Sequence, residues 1–131
     1  MRKILFIFLL LFLMFSCDPV ESLEANILNN TSQDLKAIFV LLEASNFNET
    51  FEIESNNVKI IFEFGGVGDA NLAFHDYDSI YITNTSNEVL KVYKADTPGK
   101  NIYNVDEYWQ KREPSKNFFE YTYEITTEDI K

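Results

Sequence analysis

The chain has 131 residues, with 21 acidic against 11 basic side chains, a formal charge of −10 and a single cysteine. That length suits one domain and leaves little room for two, and the acid surplus argues against nucleic-acid binding, which takes a basic patch to displace counterions from phosphates. One cysteine excludes an intramolecular disulfide scaffold, and a single long apolar run excludes a multispan membrane protein.

That run comes first. Residues 4–15 (ILFIFLLLFLMF) are apolar throughout, with Arg2 and Lys3 ahead and Ser16 behind. A basic start, a short apolar stretch and a small residue make a secretory leader, and the run falls short of the ~20 residues a spanning helix needs. Cys17 follows at once and resembles the lipobox cysteine of bacterial lipoproteins. Met14 stands where that motif usually has leucine, and Phe15 is bulkier than its usual small residue. The resemblance implies a diacylglycerol on the Cys17 sulfur, a cut before it and an acylated new N-terminus. Thiolate chemistry makes cysteine irreplaceable there, and several acyl chains anchor stably where one would not. The alternatives are a plain secretory leader and an uncleaved anchor. Removing residues 1–16 leaves 115 of the 131 and takes Arg2 and Lys3 along, so the charge moves from −10 to −12. Asp18 resembles an inner-membrane retention signal, whereas Asp18, Glu21 and Glu24 together resemble surface-export signals of Bacteroidota lipoproteins.

The expected plan is a leader over 1–16, a lipidated tether over 17–22 and one β domain over 23–131. A weak strand is expected near 23–28. Residues 37–42 (AIFVLL) are apolar at every position and β-branched enough to favour a strand covered on both faces. Phe51–Glu54 alternates, and Asn56-Asn57 is a plausible hairpin turn into Val58–Phe64, where positions 58, 60, 62 and 64 are apolar while Lys59 and Glu63 face away. Residues 79–83 and 89–94 flank the turn-forming Asn84–Glu88 as a hairpin. Asn104 as cap, Glu107 three residues on and Pro114 as terminator predict a helix over Val105–Arg112. Phe119–Ile125 alternates without error. The class predicted is all-β: an antiparallel, Ig-like β-sandwich of about seven strands with one short helix. Asn30–Lys36 echoes Asn84–Lys91, either as a duplication or as two polar loops that each enter a strand.

Signals of chemistry are few. His75 is the sole histidine, and no Gly-x-Ser-x-Gly, P-loop or Cys/His zinc spacing occurs. Gly65-Gly66-Val67-Gly68 lacks the Lys-Ser/Thr of a P-loop and reads as a turn. Asp69, His75, Asp76 and Asp78 form the most site-like stretch. The three carboxylates suit Ca²⁺, although the spacing matches no EF-hand and a charged loop beside a strand is usually just solvated. Paired carboxylates could also serve glycoside hydrolysis, but a short acidic chain produces close pairs by chance. Asp78-Ser79-Ile80 resembles the O-glycosylation triplet of exported Bacteroidota proteins. Tyr108 and Trp109 either plug one end of the sandwich or form a binding patch.

Beyond Cys17, the Asn-Thr-Ser loops, Tyr93-Lys94, Gly99–Tyr103, Tyr108-Trp109, Glu113–Lys116 and Tyr121–Ile125 resemble the small lipoproteins of Bacteroidota. That resemblance implies export and a compact β domain, and no activity. The expectation is therefore a lipid-anchored envelope protein, in the outer membrane with its face open, that binds rather than catalyses. No cofactor or metal is expected. The candidate surface is Tyr77 or Tyr81 with Tyr103, Tyr108 and Trp109, and the candidate ligands are a protein or a glycan. The alternatives are an immunity or inhibitor lipoprotein drawn to a basic target and a structural subunit of an envelope complex.

Overall fold

The computed structural model describes residues 20–43 and 48–131; the leader and Cys17 lie outside them. The strands are β1 (Val20–Asn30), β2 (Leu35–Leu41), β3 (Glu49–Ile53), β4 (Asn57–Val67), β5 (Tyr77–Asn84), β6 (Val89–Tyr93), β7 (Gln110–Ser115) and β8 (Phe118–Thr126), with one helical turn, α1 (Val105–Tyr108). They form two four-stranded sheets, β4-β1-β8-β7 and β3-β2-β5-β6, packed as a β-sandwich. Leu23, Ala25 and Ile27 from β1, Tyr121, Tyr123 and Ile125 from β8, and Leu35, Ala37, Phe39, Ile80 and Ile82 from the facing sheet make the core. Alternation puts these apolar residues on one face of each strand.

The sandwich matches the sequence, but its order is not the immunoglobulin one, in which the first two strands are neighbours. Here β1 and β2 lie in different sheets, and β1 runs parallel to β8 from Ser22 opposite Phe118 to Asn30 opposite Thr126. Among the described residues there are eight strands, because residues 110–112, expected as the end of the helix, belong instead to β7 and pair with β8. The helix stops at Tyr108 because Trp109 is already extended, and the Asn104 side chain forms no cap. Pro114 is tolerated because β7 is an edge strand with a register irregularity between Arg112 and Ser115. β1 begins at Val20, so Val20–Ser22, expected in the tether, belong to the sheet.

The Asn56 turn is not a hairpin either. Asn56 takes a positive φ of 55° and carries the chain from β3 in one sheet to β4 in the other. β4 is the larger correction. An irregularity opposite Ala25 and Asn26 leaves Ile61 without a partner, so Phe62 and Phe64 share a face with Ala25 and Leu23 while Ile60 and Val58 share the opposite face with Asn26 and Leu28. Ile61 is the residue buried, and the four expected core residues remain partly exposed. A single extra residue inverts the facing of everything beyond it.

The β5–β6 hairpin is as expected, with Asn87 at positive φ in its loop. Both Asn-Thr-Ser loops sit at one end of the sandwich and use an asparagine alike. The Asn29 side-chain oxygen accepts from the Thr31 N–H and hydroxyl, and that of Asn84 accepts from Ser86 and Glu88 N–H. Yet the first loop crosses between sheets and the second closes a hairpin. Asn29 is fully buried, and its amide donates to the carbonyls of Gln33, Ile53 and Glu54. Asn29→Ala strands these groups without partners, so unfolding stability is expected to fall by about 3 kcal/mol, with Tm down roughly 10 °C. The exposed Asn84→Ala is expected to cost under about 1 kcal/mol; equal losses by thermal denaturation would count against the Asn29 pin.

Candidate functional site

The opposite end of the sandwich, where β1 begins, is crossed by the connection from β4 to β5. Ala70, Leu72 and Phe74 are buried in alternation while Asn71, Ala73 and His75 face outward. The crossing is fastened at its start by Ala70 N–H donating to Glu21 Oε2 at 2.7 Å. Between it and the segment that leads from β6 into α1 lies a cleft of about 500 Å³, lined by Asn71, Phe74, His75, Ala95, Tyr103, Asn104, Asp106 and Glu107 among others. A second lobe of about 370 Å³ shares Phe74, His75, Ala95 and Tyr103 and adds Leu42, Tyr77, Asp78, Lys94 and Asp96.

Tyr103 stands between the lobes, and its position is set by buried Asn101. The Asn101 amide donates to Lys94 and Thr97 carbonyls at 2.7 and 2.9 Å, and its side-chain oxygen accepts from the Tyr103 N–H. The Tyr103 hydroxyl donates to the Tyr77 carbonyl at 3.2 Å, and its ring meets Phe74 edge-on at 6.2 Å. Burial, and then the negative charge of Asp78, push the Tyr103 phenol up to about 12. The Tyr77 hydroxyl donates to Glu49 at 2.8 Å; burial first and Glu49 second raise its pKa strongly. Beneath the cleft Phe74 stacks on Trp109 at 5.4 Å, and Trp109 meets Tyr123 at the same distance.

The expected surface therefore divides. Tyr103 and Tyr77 line the cleft. Trp109 is 6% exposed, with its indole N–H donating to the Ile102 carbonyl at 2.8 Å, and is a plug of the core. Tyr108 is half-buried beside it and outside the lining. Tyr81 lies elsewhere, half-buried on β5 opposite Ile38 and Val92 and on the face away from core residues Ile80 and Ile82. Its place in the strand alternation turns it outward. Of the acidic stretch, His75 and Asp78 line the cleft, Asp76 sits in the turn before β5, and Asp69 is exposed near Ala70. Among the described residues no three His, Cys, Asp or Glu come together as metal ligands. Ser79, the middle of the triplet, is 1% exposed within β5 and cannot present a glycan to solvent.

Sequence reading missed Phe74, Ala95 and Asp96. The Ala70-Leu72-Phe74 alternation was the available signal. Chemically the cleft offers an aromatic wall, hydrogen-bond groups on Asn71, Asn104 and His75, and a rim richer in carboxylates than in cations. It suits recognition by stacking and polar contacts. Comparison with protein families, curated proteins and solved structures returns no match.

Two outcomes follow for the tyrosine and the tryptophan. A phenol favoured in its neutral form by folding supports stability fully below the unfolded pKa near 10 and loses that support as pH rises towards about 12. Tyr103→Phe is expected to flatten part of the stability decline over that window while leaving unfolding stability at pH 7 within about 1 kcal/mol of the parent; an unchanged alkaline profile would contradict the assignment. Trp109→Ala is expected to lose about 3–5 kcal/mol, and a loss below about 1 kcal/mol would remove the plug.

Proposed function

We propose that the protein is a lipid-anchored envelope protein, held in the outer membrane through Cys17, whose β domain binds a ligand without transforming it. The observation that carries the reading is spatial. β1 starts at Val20, three residues after Cys17, on the end of the sandwich that holds the Tyr103 cleft. Three residues span about 10 Å at most, so an acylated Cys17 keeps that end at the bilayer. The cleft then faces partners that are themselves at the membrane, which favours a protein or glycan of the envelope over a freely diffusing solute. The lining supports binding in kind, being aromatic and hydrogen-bonding. A second reading, an inhibitor of a basic toxin or enzyme, draws on the 21 acidic side chains and the carboxylates at the cleft rim.

Native mass spectrometry and membrane fractionation test the anchor. The expected result is an N-terminus at Cys17 carrying acyl mass, membrane recovery of the parent protein, and transfer of Cys17→Ala to the soluble fraction. A parent protein cut elsewhere and free of lipid would end the reading.

A further inference from the structure

A further cavity, of about 110 Å³, opens on the β3–β4 side of the crossing segment, whereas the Tyr103 cleft lies on the α1 side. Its lining is aromatic: Phe39, Phe51, Phe62, Phe74 and Tyr77, drawn in turn from β2, β3, β4, the crossing segment and β5. Phe39 is the floor and is 2% exposed. Phe51 and Tyr77 stand on it almost upright, their ring centres 5.5 and 5.2 Å from its own and their planes turned by 86° and 70°. Phe74 leans in at 6.1 Å. The irregularity in β4 supplies the remaining wall, because it turns Phe62 to the face of Ala25, where the ring stays 44% exposed at the sheet edge. Rings at such steep angles bound a box and do not fill it by stacking.

Two carboxylates, Glu49 and Asp76, join the rings, and both are exposed, at the mouth. Glu49 Oε2 accepts from the Tyr77 hydroxyl at 2.8 Å, which ties β5 to β3 over the β2 strand between them. Burial first, then Glu49 and Asp76, raise the Tyr77 pKa strongly, so both carboxylates act on one phenol of the wall. No Lys, Arg or His is in the lining, and among the described residues neither carboxylate forms a salt bridge. Aromatic faces beside uncompensated negative charge call for a positive guest.

Hydrogen bonding selects the kind of cation. A primary ammonium brings three donors, and an aromatic box leaves donors unpaired at a cost; one Glu49 oxygen is already engaged by Tyr77. A trimethylammonium group has no donor to satisfy and packs its methyls against the rings. Its size also suits the space, which is somewhat below the ~150 Å³ of a cavity that admits benzene.

We propose that this cavity is a binding site for a trimethylammonium group, carried by a small cationic solute or a lipid headgroup, with Phe39, Phe51, Phe62 and Tyr77 as its aromatic cage and Glu49 and Asp76 as the countercharge. The site takes nothing from the anchor at Cys17.

The test is calorimetric titration of the full-length protein with choline, tetramethylammonium and the uncharged isostere of choline in which carbon replaces nitrogen. Both cations are expected to bind with a Kd of about 1 mM or tighter, and the isostere at least about tenfold more weakly. Phe62→Ala, at a partly exposed position, and Glu49→Gln, which keeps an acceptor for Tyr77, are each expected to weaken choline binding about three- to tenfold. Phe64→Ala, an exposed neighbour on β4 outside the lining, is expected to leave it unchanged. Displacement of choline by phosphatidylcholine vesicles assigns the group to a lipid headgroup, and lack of displacement to a free solute; the site stands on either. Folded protein that fails to bind choline, an isostere that binds as tightly, or parent affinity in both Phe62→Ala and Glu49→Gln overturns the proposal, whatever the state of Cys17.

Discussion

The fold depends on the pairing of its first strand with its last. β1 occupies an inner position between β4 and β8, and β8 lies between β1 and β7. Through the parallel ladder the core residues Leu23, Ala25 and Ile27 sit beside Phe119 and the core residues Tyr121 and Tyr123. Neither sheet edge nor cleft is defined until the two chain ends meet, and such non-local pairing makes folding slow relative to local hairpins. The same ladder carries the chain out of the sheet at Val20, beside the Glu21–Ala70 bond that starts the crossing loop. One pairing thus sets the core and also brings the cleft to the N-terminal end.

Strands were legible where one face alone is buried. Phe119–Ile125 alternates because β8 is inner, with the core on one side and Glu120, Thr122 and Glu124 on the other. β5 and β6 were legible from the asparagine-rich turn between them. β4 misled because its alternation is genuine in sequence but is cut by one extra residue at Ile61, which no periodicity can display. The helix was overestimated for a related reason. Gln110–Arg112 has helix-compatible residues but is claimed by β8, and tertiary pairing outweighs a weak propensity.

Of the site, the aromatic residues stood out in composition, while their roles came from packing. Trp109 and Tyr103 lie six residues apart, yet one closes the core under Phe74 and the other borders the cleft above it. Asn101, fully buried, decides that separation by fixing the loop from Lys94 to Tyr103. Nothing in sequence marks it among the other asparagines. Asn29 does the same service at the far end. Buried asparagines with all their polar atoms engaged are the pins of this small domain, and the substituents around them are free to serve recognition.

The proposed lipid anchor at Cys17 implies one orientation: the cleft end towards the bilayer, the Asn29 and Asn87 loops away from it. The direct measurement is energy transfer from a fluorophore on Ala95→Cys, or on Ser86→Cys, to acceptors on lipid headgroups, with the lipidated protein in vesicles. The proposed orientation predicts markedly more transfer from residue 95, at the cleft, than from residue 86 in the opposite hairpin. Equal transfer from the two positions, or more from residue 86, would contradict it.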